Sequence, residues 1–289
     1  MTVPGRFSTF YEAIEIGGFM EALNFLMYPF LACLLLIGIH AYFGIHILER
    51  GIIFVDLALA QFIGIGLALS FLLGGEQHLV LSLVFALIGA LILATAKRAA
   101  KFANIEAFIG VLYIFSVSAA VLILDRSPHG LEEFKTIING NIIWVTPADL
   151  LSTFIVYGLI GLLHVVLWKK FYALSYDGKG GFWLEFIFFA SFAVVLVKSV
   201  KMAGILQVFS FLVIPALIGR LFTRKPFRVL TIGWILGVLV SLVGISLSYK
   251  FDLPTAPVIV LSLSIIFFAL LTLEAWKKWN LENYIRQEK

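Results

Sequence analysis

Stretches of about twenty apolar residues, parted by short charged clusters, recur along the chain. A helix needs about 20 apolar residues to cross the hydrocarbon layer. Nine segments meet or approach that length: 24–47, 51–73, 79–96, 105–124, 148–168, 182–198, 203–222, 229–249 and 256–275. Membrane-spanning strands would alternate polar and apolar residues, whereas Leu79 to Ala96 is apolar all round. The pattern therefore predicts an all-α, polytopic integral membrane protein of about nine transmembrane helices. Only Lys198, Lys201 and the pair Ala203 and Gly204 separate the sixth segment from the seventh; one bent helix there gives eight and changes the parity. Before the first span, Phe7, Phe10, Tyr11 and Ile14 are interspersed with Ser8, Thr9, Glu12 and Glu15, the spacing of a helix lying on the membrane surface. A secretory signal would have a basic start followed at once by an apolar core, which this segment lacks.

Composition agrees with that pattern. With 62% hydrophobic and 13% charged residues, the 289-residue chain has more apolar surface than a water-soluble domain can bury. Its single cysteine, Cys33, lies inside a predicted span, which excludes an intrachain disulfide and a cysteine metal cage. If the first span runs inward, fifteen basic residues fall on the cytoplasmic side, from Arg50 and Lys97 to Lys278 and Lys289, and six fall outside. The bias predicts an external N-terminus and a cytoplasmic C-terminus. The net charge of +4 then reflects membrane orientation, and no nucleic-acid partner is needed to explain it. No soluble block or linker interrupts the chain, so one domain is expected: an amphipathic interfacial segment 1–23, a bundle 24–275 and a cytoplasmic tail 276–289. Gly233 with Gly237, and Gly64 with Ala68, are small-residue steps that let helices approach closely.

Hallmarks of catalysis are missing. The glycine-rich loop Asp177 to Gly181 lacks the spacing of a phosphate-binding loop, and neither a metalloprotease helix nor a serine elbow is present. Transport powered elsewhere fits better than an enzyme.

Three stretches carry a resemblance. Glu49-Arg50-Gly51 leads into Ile52 to Gln61, with Asp56 buried in the apolar run; Ile138-Asn139-Gly140-Asn141-Ile142-Ile143-Trp144-Val145 follows; then come Ala203 to Ala216 and Asp252-Leu253-Pro254-Thr255-Ala256-Pro257. In order and spacing, over roughly residues 24–275, they resemble the permease subunits of zinc, manganese and iron ABC importers, whose fold is related to the cobalamin-importer permease. The resemblance implies a homodimer working with a cytoplasmic ABC ATPase and an extracytoplasmic metal-binding protein in the cell (plasma or inner) membrane. It implies no tightly bound cofactor, the divalent metal being cargo. Two departures stand out. Ala60 occupies the position where many members place a histidine four residues after the aspartate, and Ser175 to Gly181 is shorter than the family's cytoplasmic segment with its small helix. Tyr176, Asp177, Lys179, Arg224 and Lys225 are the expected contacts to the ATPase.

An intramembrane carboxylate is costly and implies a pathway or a partner. Asp56 accordingly has two readings: contact with the transported cation, or a structural role at its helix's positive end or in a pair with Arg50. Gln61 offers an oxygen ligand or an interhelical hydrogen bond. His40, His46 and His164 fall in spans and read first as packing residues; His46, closest in depth to Asp56, is the candidate ligand among them. His129, Glu132 and Glu133, in the long external loop, are candidate entrance residues. The competing function classes are an ion-coupled secondary carrier, for which the chain lacks evident inverted repeats, and a structural subunit of a membrane complex.

Overall fold

The computed structural model describes residues 8–74, 78–99, 102, 104–127, 132, 135, 140 and 142–287, with side chains described between 25 and 280. In chain order the helices are α1 (Ser8–Arg50), α2 (Val55–Leu72), α3 (His78–Leu93), α4 (Ala96–Ala99) and α5 (Ile105–Leu124), then a 3-10 turn (Ile142–Trp144). There follow α6 (Pro147–Val166), α7 (Trp168–Tyr176), α8 (Phe182–Phe222), α9 (Pro226–Phe251) and α10 (Thr255–Gln287). Among the described residues, eight helices are long and apolar enough to cross a membrane. The protein is a multi-pass, all-helical membrane protein. The segment expected to lie on the surface is helical from Ser8 and runs into the first span within the single helix α1.

Where the sequence left eight or nine open, α8 shows why. Its 41 residues include Gly204 at φ 78, ψ 164, a backbone conformation essentially restricted to glycine. The ends of α8 reveal what happens there. Glu185, near its start, pairs with Arg50, while Arg220, near its finish, pairs with Glu49. Both ends therefore meet the last turn of α1, and α8 must fold back on itself. Along arm 182–203, Lys198, Ser199 and Ser191 meet Ser152, Tyr157 and His164 of α6 in antiparallel order. Along arm 205–222, Gln207 and Arg220 meet Cys33 and Glu49 of α1 in parallel order. The element is a hairpin of two span-length arms, so among the described residues the eight long apolar helices supply nine such segments.

Local chemistry sets the element ends. Asn104 accepts from the amides of Glu106 and Ala107 to start α5, and Thr146 with Asp149 forms a capping box ahead of α6, reinforced by Pro147. Asp252 closes α9 in the left-handed region at φ 52, and Ser248 bonds both the Leu253 carbonyl and the Thr255 hydroxyl. The Asp252 to Pro257 motif is thus the turn between the last two spans. Gly140, from the second motif, lies so close to Ala203 and Gly204 that a Cβ there would come 2.1 Å from the Ala203 carbonyl carbon. Gly140 of the second motif therefore sits on the bend of the third. Gly237 meets Ile37 across α9 and α1, where a Cβ would fall 2.2 Å away, so this small-residue step serves packing.

Burial divides the bundle into centre and rim. Within their most apolar windows, α2 and α8 are 72% buried, whereas α5 and α6 are 22% and α10 is 17% buried. The rim helices present Val111, Ile114, Leu159, Val165, Leu261 and Phe268 outward, as lipid-facing surfaces do. One end of the bundle, the basic end, gathers Glu49, Arg50, Lys97, Glu185 and Arg220.

Candidate functional site

The last turn of α1 organises the basic end. Glu185 is 2% exposed, yet it holds two cations: its Oε2 pairs with Arg50, and its Oε1 lies 2.7 Å from the Lys97 ammonium at the start of α4. The Arg50 guanidinium also lies over Phe188 and Phe189, 5.4 and 4.9 Å from the ring centroids. Glu49 and Arg220 form a second, half-exposed pair. This arrangement corrects one expectation: Arg50 is committed to Glu185 and does not pair with Asp56. Glu185, the only acid in the run 182–198, is the partner that sequence reasoning missed; an isolated carboxylate in an apolar segment was the signal.

Asp56 lies in the first turn of α2, which begins at Val55, closer to the helix start than a span beginning at residue 51 implied. It is 1% exposed, and neither carboxylate oxygen has a hydrogen-bond partner. The position at the positive helix end offers some stabilisation. No cation among the described residues pairs with it. Gln61, on the same helix, is buried with its Oε1 unpartnered. His46 has partners of its own: its Nδ1 is 2.9 Å from Ser175 Oγ, and its ring packs against Tyr42, Tyr176 and Phe188. Its Nε2 is buried and unpartnered. Among the described residues, no group of three or more His, Cys, Asp or Glu side chains converges in a way that could hold a metal. Asp56, Gln61 and His46 thus each present a buried polar atom without a partner, on α2 and α1.

His164 and His40 are also buried in spans, and His40 Nε2, like that of His46, has no partner. Both ring nitrogens of His164 are engaged, by Tyr42 at 3.0 Å and Ser191 at 2.8 Å, and Phe171 stacks on it at 4.3 Å. His40 donates from Nδ1 to the Leu36 carbonyl at 2.8 Å. Gln207, unremarked in the sequence, is fully buried with Oε1 unpartnered and Nε2 3.5 Å from Cys33 Sγ.

The expected coupling residues all lie at the basic end. Asp177, Lys179, Arg224 and Lys225 are exposed; Tyr176 is half-buried, and burial pushes its phenol up to about 12. Of the segment Ser175 to Gly181 only Asp177 onward is a short turn; Ser175 and Tyr176 close the nine-residue helix α7, which the span pattern does not announce. Phe171, Leu174 and Ser175, at i, i+3 and i+4, are its buried face and the pattern that would have found it. Of the entrance candidates, Glu132 is exposed, and His129 and Glu133 lie outside the described residues.

The family model of the ABC 3 transport family matches residues 22–274. The chain belongs to the ABC 3 transport family. A probable metal transport system membrane protein of Chlamydia pneumoniae is 27% identical over 253 residues, covering 82% of this chain and 84% of that protein. The manganese transport system membrane protein MntC of Listeria innocua is 24% identical, covering 78% of this chain and 82% of that one. The fold is shared with PsaBC of Streptococcus pneumoniae, solved in complex with Fab, at a TM-score of 0.71 and 20% identity over 91% of this chain and 95% of the other. Membership of the ABC 3 family makes this a transport protein and accounts for the three motifs. Two of them build the bend at Gly204 and the turn at Asp252, and the first delivers Asp56 into the bundle.

Proposed function

We propose that this chain is the permease subunit of an ABC importer that moves a divalent transition-metal ion, zinc, manganese or iron, using ATP hydrolysed by a separate chain. The observation that carries the reading is Asp56: a buried carboxylate without a partner, in a membrane protein of a transport family, while Arg50, the basic residue nearest it in sequence, is committed to another acid. A buried unpaired carboxylate is costly, and a passing divalent cation compensates that cost transiently. Gln61 and Gln207 contribute further unpartnered oxygens suited to hard or borderline cations. The relatives named for metal and manganese transport support the cargo class.

In this reading the basic end faces the cytoplasm, in accord with the excess of basic residues there. The exposed turn Asp177 to Gly181 and the residues Arg224 and Lys225 meet the ATPase, two copies of the chain form the channel, and an extracytoplasmic binding protein delivers the ion. The ion-coupled carrier differs in its energy source. The deciding experiment is coexpression with an ABC ATPase from the same organism, followed by reconstitution into vesicles. Zinc, manganese or ferrous ion should stimulate ATP hydrolysis and enter the vesicles only with ATP. Uptake driven by an ion gradient without ATP would contradict the assignment.

A further inference from the structure

We propose that α7 lies in the plane of the membrane at the basic end and that Lys169 and Lys170 bind the headgroups of anionic phospholipids. Both ends of the helix are held against the bundle. Its first residue follows a one-residue break at Leu167 after the span α6, whose last residues Val165 and Val166 are 72% and 73% exposed on the lipid-facing rim. Phe171, midway along, stacks on His164 in the last turn of α6. At the far end, Ser175 and Tyr176 meet His46, four residues inside the end of α1. Nine residues of helix are about 13 Å long. A helix projecting away from the bundle would carry its last residues that far from the boundary, yet they contact a side chain within α1. The helix therefore crosses the end of the bundle close to the boundary plane.

The outer face carries what an interfacial helix needs. Phe171, Leu174 and Ser175 are buried against the protein, while Trp168, Lys169 and Lys170 are exposed. Trp168 and Tyr172 pack at 5.4 Å, and Tyr172 stacks on Tyr176 at 4.5 Å, giving an aromatic row at i, i+4 and i+8. Aromatic rings of this kind favour the headgroup level, and lysines extend past it to the phosphates. Among the described residues, neither lysine meets a carboxylate, whereas Lys97 and Arg50 at the same end are both paired. Two unpaired cations beside a lipid-facing span complement an anionic leaflet, with each lysine near such a surface contributing about 1 kcal/mol.

The test is retention of phosphatidylglycerol by the full-length chain in mild detergent, read by native mass spectrometry against phosphatidylcholine with the same acyl chains. Wild type should retain phosphatidylglycerol selectively, and inorganic phosphate should not compete, which separates a membrane lipid from a free anion. Replacing both residues, Lys169→Gln with Lys170→Gln, should weaken retention about thirtyfold; arginine at both positions should preserve it. On the unmodified chain, acetylation of Lys169 and Lys170 should slow about tenfold or more when phosphatidylglycerol replaces phosphatidylcholine in nanodiscs. Equal retention by wild type and the glutamine variant overturns the proposal. So does unchanged acetylation between the two lipids, or protection of the lysines by the copurified ATPase alone, which would assign this face to a protein partner.

Discussion

Two carboxylates near the same end of the bundle are buried to nearly the same degree and treated in opposite ways. Glu185, 2% exposed, is held between Arg50 and Lys97 and joins α1, α4 and α8; Asp56, 1% exposed, meets no cation and accepts no hydrogen bond. A buried acid with two partners stabilises the fold through those partners, and removing it strands their charges. A buried acid with none contributes no such contact, so its presence needs another reason. The contrast marks Glu185 as a structural carboxylate and is the ground on which Asp56 is proposed as a functional one.

The comparison can be broken first at Glu185. Glu185→Gln leaves Arg50 buried without its counter-charge and should destabilise the protein by about 3–5 kcal/mol. The change should appear as a lowered unfolding midpoint and loss of assembled protein from the membrane. Wild-type stability in that variant would mean that the network at the basic end is ornamental. The next effect concerns the hairpin that brings Glu185 and Arg220 to one end. Gly204→Val forces a branched side chain into a conformation reserved for glycine and should cost about 1–3 kcal/mol or more; unchanged thermal stability would remove the sharp reversal. Breaking the half-exposed pair with Glu49→Gln should cost no more than about 1 kcal/mol, because both side chains are nearly 30% exposed.

The finest distinction is a pair of double-mutant cycles. Arg50→Gln combined with Glu185→Gln should be strongly non-additive, since the two groups touch. Arg50→Gln combined with Asp56→Asn should add within about 0.5 kcal/mol, as independent sites do. Coupling in the second cycle would restore the Arg50 and Asp56 pair that the geometry denies.

Much of this was legible in the apolar pattern. Span positions, the break at Ala203 and Gly204 and the buried Asp56 follow from runs of hydrophobic residues and the charges that interrupt them. What the sequence left open was which partners meet. Arg50 is six residues from Asp56 and 135 from Glu185, and sequence proximity suggested the wrong pair. Helix α2 starts only at Val55, after a turn through Gly51 at φ 63, so the nearer acid is led away from the arginine. Likewise the helical rise relates His46 to Asp56 in depth, but its contact with Ser175, 129 residues away, is not legible in the sequence. Depth can be counted from a helical rise; the side of the bundle a residue faces depends on neighbours distant in the chain.

The most direct test of the account is metal uptake by Asp56→Asn, with zinc, manganese and iron compared in cells that lack their own importers and membrane abundance of each variant quantified alongside. The amide keeps the shape of the side chain and removes only its charge. The account predicts normal abundance and stability with uptake abolished, and a smaller loss for Gln61→Ala, since a neutral amide contributes less to cation binding than a carboxylate. Wild-type uptake by Asp56→Asn at equal abundance would take Asp56 out of the ion's path.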